Sequence, residues 1–140
     1  MGRIMAIDYG RKRVGIAVTD VGRLIATGLD TVPAHTIFDF LRDYLARETV
    51  DLFVVGKPTR LNNTPSEAQV FTEPFVKRLH KLFPDIPVER IDERFTSGMA
   101  TRAILEAGAK KKDRQRKDLV DKVSATIILQ SFMESKAYRQ

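Results

Sequence analysis

Cysteine is missing from this chain, histidine occurs twice, and no apolar run approaches the ~18–20 residues that a membrane span requires. The first absence excludes disulfides and thiolate-held metals and leaves a reducing compartment permitted. His35 and His80 lie far apart and lack the spacing of a helical ligand pair, so both read as ordinary surface or half-buried side chains. Any metal must therefore be held by oxygen. There is also no internal repeat, no low-complexity tract and no linker in the 140 residues, and the first strand begins almost at once without the layout of a signal peptide. The expectation is a single domain over 1–140, cytoplasmic and without a membrane partner, burying roughly two-thirds of its unfolded surface.

What is present is basic charge, and it is unevenly placed. The formal charge is +6, and residues 110–117 hold six basic side chains against one acid. Lys110, Lys111 and Lys112 open that run, and a second cluster, Arg11-Lys12-Arg13, stands close to Asp8. Cations beside acidic positions suit a polyanion such as nucleic acid, because they neutralise phosphates and release counterions. The plainer alternative is a solvated surface that keeps the protein soluble.

The hydrophobic pattern predicts three short strands first: 3–8, 13–19 and Leu24 to Val32, with turns at Gly10 and at Asp20-Val-Gly22 and a stop at Pro33. Short connections favour an antiparallel meander. From Thr36 the period changes to that of a helix, with Ile37, Phe40, Leu41, Tyr44 and Leu45 on one face. Leu52 to Gly56 reads as a buried parallel strand. A polar loop follows, then a helix from Ala68 to Leu82 that Pro74 should break or kink. Val88 to Ile91 forms a last strand, Thr96 or Ser97 caps a helix ending at Gly108, and a closing helix runs from about Leu119 to Lys136. The fold class expected is α/β: a three-layer arrangement on a mixed five-stranded sheet, three strands antiparallel and then two parallel, with flanking helices. Right-handed crossovers put the last two strands beside the first.

Three acidic positions stand out. Asp8 ends the apolar strand Ile4-Met-Ala-Ile and is followed by Tyr9-Gly10, where glycine permits a turn and a close phosphate. Asp92 and Glu93 leave the last strand together, and because adjacent residues point to opposite faces only one of them can share a face with Asp8. Asp121 falls on the same helical stripe as Ala125, Ile128 and Phe132, and a carboxylate there needs a cation or hydrogen bonds. The small neighbours Ser124 and Ala125 let that helix approach the sheet. Each acid has an ordinary alternative: a turn aspartate, a helix cap, or a salt bridge from Asp121 to Lys117 or Lys122. Together they point to a divalent-cation site of hard oxygen donors, suited to Mg²⁺ or Mn²⁺, in which two ions serve an in-line displacement at a phosphodiester. Arg11, Lys12, Arg13, Arg94 and the 110–117 run are the candidates to grip flanking phosphates. Two competing classes are a nucleotide-cradling hairpin of the sugar-kinase type, built on Asp8, Gly10 and Gly15, and a non-catalytic nucleic-acid module of the same fold.

At these residues the sequence resembles the YqgF/RuvX family of pre-16S rRNA processing nucleases, also described as Holliday-junction-resolvase-like members of the ribonuclease H superfamily. The resemblance covers nearly the whole chain and rests on Ala6-Ile-Asp-Tyr-Gly-Arg-Lys-Arg-Val-Gly-Ile-Ala-Val-Thr-Asp20, Asp92-Glu-Arg-Phe-Thr-Ser97 and Val120-Asp-Lys-Val-Ser-Ala-Thr-Ile-Ile-Leu-Gln130. It implies a ribonuclease H-like fold and an acidic triad of Asp8, Glu93 and Asp121 that holds the metal. It also implies an endonuclease acting on the 5′ end of 16S rRNA precursor, with branched DNA as the other substrate, the pre-ribosomal particle as a partner, and a monomer or homodimer as the working form. The chain departs from the family after Gly56-Lys-Pro58, where Arg60-Leu-Asn-Asn-Thr-Pro-Ser66 replaces the common Gly-Ser-bearing loop, and at Ser124, where alanine is common.

Overall fold

Short polar turns between apolar stretches fold the first part of the chain into an antiparallel meander, as the pattern requires. The computed structural model describes residues 2–23, 25–57, 69–92 and 117–139, with backbone alone at 69–71, 92, 117–121 and 135–139. Strands β1 (Arg3–Tyr9), β2 (Arg13–Thr19) and β3 (Ala26–Pro33) lead through a 3-10 turn at Ala34–Thr36 into α1 (Ile37–Arg47). Then come β4 (Val50–Lys57), α2 (Gln69–Leu82), β5 (Val88–Asp92) and α3 (Lys117–Arg139). The sheet order is β3-β2-β1-β4-β5, with β1 antiparallel to β2, β2 to β3, and β4 parallel to both β1 and β5. The last two strands therefore lie beside β1, where the crossover argument put them. The expected loop after Lys57 and the helix expected before Gly108 lie outside the described residues.

Side-chain alternation divides the sheet into two unlike faces. Met5, Ile7, Val14, Ile16, Val18, Phe53 and Val55 form one, packed on Ile37, Leu41 and Tyr44 of α1 and Phe75 and Leu79 of α2. Ile4, Ala6, Ala17 and Val54 form the other, packed on Ala125, Ile128, Leu129 and Phe132 of α3. Ala6 and Ala17 give the second face narrow positions on β1 and β2, so α3 sits close. A methyl group added at Gly28 of β3 would lie 2.7 Å from Lys122 Cγ and 3.2 Å from Thr126 Oγ1.

Several boundaries differ from the sequence expectation, each for a local reason. β3 starts at Ala26 because Ile25 closes a turn instead: its N–H donates to Asp20 Oδ1 (2.8 Å) and its carbonyl accepts from Asp20 N (3.2 Å). It runs on through Pro33, which a strand at the sheet edge tolerates. The register between β2 and β3 shifts at Ile16/Ala17, a bulge that leaves Leu29 extra on the edge strand. Pro74 does not break α2, which is continuous from Gln69 to Leu82. The proline is exposed, whereas Thr72 and Phe75 beside it are buried, and their packing holds the helix together across the missing hydrogen bond. α1, β4, β5 and α3 extend one to three residues beyond the sequence reading at one or both ends, because helical turns and strand pairing continue past the last residue of the apolar pattern. Among the described residues no helix is long and apolar enough to cross a membrane.

Candidate functional site

Asp8 lies at the carboxyl end of the central strand β1, paired in register with Gly15 of β2. Ile4 and Ala6, which share its alternation, pack under α3, so Asp8 belongs to the α3 side of the sheet. Tyr9, on the opposite side, stacks on Phe75 of α2 with ring centroids 4.2 Å apart. This fixes the strand end on both sides while Gly15 leaves no side chain opposite the carboxylate. The position is half-buried, and Asp8 is already engaged by other groups of the protein, as are Arg11 and Arg13.

The turn after Asp8 is tight. Gly10 N–H donates to the Arg13 carbonyl at 2.9 Å, and a Cβ on Gly10 would stand 2.6 Å from that same oxygen. Glycine is therefore required, and Arg11 and Lys12 are lifted into solvent at the tip, with Arg13 half-buried. The Lys12 carbonyl accepts from Ala34 N–H at 2.9 Å, which joins this turn to the start of the α1 segment.

The backbone of α3 carries Asp121, the second acidic candidate. Gln130, Met133 and Glu134 lie beside Ile25 and Ala26, whereas Lys122 and Thr126 lie on Gly28. Going up α3 toward its amino end thus follows β3 away from Ala26, in the direction of Thr31, whose register partner Gly15 faces Asp8. Asp121 stands one turn before the fully buried Ala125, on the part of α3 nearest that end of the sheet. The last strand, β5, leads toward the other two acids, of which the backbone of Asp92 is described. Ile91 packs with the α3 cluster and Arg90 bonds to Glu73 of α2, which assigns the two faces of β5. Glu93, Arg94, Lys110, Lys111 and Lys112 lie outside the described residues, as does the side chain of Asp121. Among the described side chains no three acidic or histidine residues gather as a metal cluster. His35 and His80 are both exposed, as expected. As a donor set, three carboxylates without sulfur or imidazole fit a hard cation such as Mg²⁺ or Mn²⁺.

The other end of the sheet is structural. The Gly2 N–H donates to Asp51 Oδ2 (2.7 Å), and Arg23 reaches the same oxygen (2.7 Å) while its Nε donates to the Gly2 carbonyl (3.0 Å). The amide of Gly2 and the Arg23 guanidinium hold the Asp51 carboxyl below its ordinary value. Tyr44, under the core, is pushed up chiefly by burial. Sequence reasoning passed over this corner because its partners are far apart in the chain. It also passed over Gly15 as the residue facing Asp8, for which a glycine inside a strand was the available signal.

A family model described as "RuvX: Holliday junction resolvase" matches residues 2–135. A protein of Bacteroides thetaiotaomicron is 57% identical over 99% of this chain and 100% of its own length, and one of Flavobacterium johnsoniae is 50% identical over 99% and 100%. Each bears the name "Putative pre-16S rRNA nuclease". Among solved structures, the fowlpox virus resolvase in complex with Holliday junction DNA matches with a TM-score of 0.61 at 14% identity, covering 96% of this chain and 98% of that one. Thermus thermophilus RuvC with its Holliday junction substrate matches with 0.56 at 16% identity, covering 98% and 96%. These two likenesses are of fold, and they agree with the ribonuclease H-like sheet order expected from the sequence. The family model spans nearly the whole chain and the relatives match over essentially their full length, and by these the chain belongs to the RuvX family.

Proposed function

We propose that this protein is a metal-dependent endonuclease that hydrolyses phosphodiester bonds in nucleic acid, with the 5′ end of pre-16S rRNA as its substrate. The single observation that carries this reading is near-full-length identity above one half to relatives named for that activity. The whole of 1–140 acts as one domain in this reading, in the cytoplasm, on precursor RNA within a pre-ribosomal particle. Asp8, Glu93 and Asp121 form the acidic triad. Asp8 suits the role because a paired, largely buried strand holds its end at a fixed point on the α3 side of the sheet. A pair of Mg²⁺ or Mn²⁺ ions, when bound, supplies the acidity that generates the attacking water and stabilises the leaving oxygen. The chain's own work is then to orient and hold: the triad fixes the cations, and Arg11, Lys12, Arg13, Arg94 and Lys110 to Lys112 bind phosphates on either side of the cut. Membership of a nuclease family leaves the nucleotide-cradling hairpin without support.

The description of the family model favours one second reading, resolution of branched DNA. That activity needs two sites acting together and so a homodimer. Cleavage of a precursor 16S 5′ segment and of a four-way DNA junction, each with Mg²⁺ and with Mn²⁺, decides between them. Cutting of the RNA alone supports the proposal, cutting of the junction alone transfers it to DNA, and no cutting of either by the unsubstituted protein overturns the nuclease reading in favour of a binding module.

A further inference from the structure

Outside the acidic end of β1, the strongest concentration of unneutralised charge among the described residues is on the outer face of α2. Lys77, Arg78 and Lys81 are exposed and, with Pro74 and Leu82, line a shallow depression of about 480 Å³. Glu73 is the one acid in the sequence of α2 and stands four residues before Lys77, the spacing at which it would neutralise that lysine. It is turned away. Arg90 Nη1 lies 3.0 Å from both Glu73 oxygens and Arg90 also donates to the Val55 and Gly56 carbonyls, so the carboxylate is committed to the sheet. On α1, Asp39 is taken by Arg42. No described carboxylate pairs with Lys77, Arg78 or Lys81. The helix dipole accounts for Lys81 and His80 in the last turn, but not for Lys77 and Arg78 earlier in the helix.

These cations are also connected to the strand end that carries Asp8. Tyr9 stacks on Phe75, Phe75 meets Phe38 at 5.4 Å, and the Arg78 guanidinium lies over the Phe38 ring at 4.7 Å. The turn bearing Arg11 and Lys12 is bonded to Ala34, just before exposed His35 and the start of α1. The Arg11-Lys12 tip and the α2 cations Arg78, Lys77 and Lys81 are thus tied to the same α1 segment, through Ala34 and Phe38, and together define a basic strip.

We propose that this strip holds the backbone phosphates of a double-stranded arm flanking the cut, so that the substrate is gripped at a distance from the bond that is hydrolysed. The inference rests on the nuclease reading for what the arm flanks, but binding to the arm is measured apart from cutting. Contacts of this kind read no bases, and each contributes to the salt dependence of binding.

The test compares the full chain with a Lys77→Gln/Arg78→Gln/Lys81→Gln variant, binding synthetic RNA stem-loops of short and long stem by fluorescence anisotropy in the presence of a chelator. DNA stem-loops of the same two lengths run in parallel. The variant should bind the long RNA stem at least about tenfold more weakly, with a salt slope shallower by about 2–3, while the short stem is bound equally by both proteins. A loss confined to the long DNA stem would support the strip and assign it to DNA. Unchanged affinity and slope on both long stems, or equal loss on short and long, would overturn it. Lys77→Arg/Lys81→Arg, which keeps the charge, should bind like the unsubstituted chain and thereby separates lost charge from misfolding. Cleavage with Mn²⁺ is scored separately: absence of cutting overturns the nuclease reading and leaves the stem-length comparison to decide the strip.

Discussion

At the scale of single residues, the region around Asp8 combines one chemical requirement with one steric requirement. The carboxylate is half-buried at a strand end with a glycine facing it, so replacing it with asparagine keeps the shape and removes the charge. Loss of a group that merely orients a metal ligand costs about 10–100-fold, so Asp8→Asn should lower cleavage by at least about a hundredfold while RNA affinity in chelator stays within a few-fold. Retained cutting would remove Asp8 from the triad. The steric requirement is at Gly10, where a Cβ would meet the Arg13 carbonyl at 2.6 Å, a backbone atom that cannot rotate aside. Gly10→Ala should therefore destabilise by about 1–3 kcal/mol in urea unfolding and displace the Arg11-Lys12 tip. The strand end at Asp8 and the turn at Gly10 were both legible in the sequence, because an apolar run that stops at an acid and then a glycine marks a strand leaving into a tight turn. Gly15 as the residue opposite Asp8 was not legible, since strand register depends on the whole sheet and not on the local pattern.

At the scale of elements, α3 explains why the sequence of the closing helix is apolar on most sides. It lies over β1, β2, β3 and β4, and Ala125, Ile128 and Leu129 are completely buried. The narrow side chains of Ala6, Ala17 and Gly28 bring the backbone of the helix near the sheet, which is what carries Asp121 toward the Asp8 end. A smaller residue at Leu129 leaves a cavity that this close, rigid contact cannot collapse into. Leu129→Ala should cost about 2–5 kcal/mol by urea unfolding, at the upper part of that range if cleavage is lost with it at permissive temperature. A cost below about 1 kcal/mol would show that α3 is not docked as described. The described strands and helices could be read from periodicity, because period 2 and period 3.6 are local, and the mixed sheet followed from connection lengths and crossover handedness. The continuity of α2 through Pro74 could not, because it depends on how firmly Thr72 and Phe75 are held by the core.

At the scale of the whole molecule, the sheet has one end that carries Asp8 and another that is fastened by hydrogen bonds. At the fastened end the amino-terminal segment, the β2–β3 turn and the start of β4 meet on Asp51, through Gly2 and Arg23. Arg23 adopts a left-handed conformation, φ 58°, to do so, a backbone state that costs a non-glycine residue some stability and persists only when its contacts repay it. Arg3 adds a bond to the Thr19 carbonyl (2.9 Å), and buried Thr19 accepts from Ile4 N–H (2.9 Å). The Asp51 carboxyl is held below its ordinary value by the Gly2 amide and then by Arg23, and this fixes the sign of the acid response. A group whose folded value is depressed binds its proton more weakly in the native state than in the unfolded one. Its contribution is complete above the unfolded value, near 3.8, and disappears as the pH falls through the folded value. Asp51→Asn should therefore be less stable than the unsubstituted chain at neutral pH, and the gap should close as the solution is acidified below about pH 4. Urea midpoints measured for both proteins from neutral to strongly acidic solution test this. A gap that is constant with pH would mean that Asp51 acts through shape and hydrogen bonding alone, and a gap that widens in acid would reverse the assignment of its charge. Because this corner is at the opposite end of β1 from Asp8, the same substitution at neutral pH and low temperature should leave metal-dependent cleavage in place, which separates the fastening of the fold from the chemistry it supports.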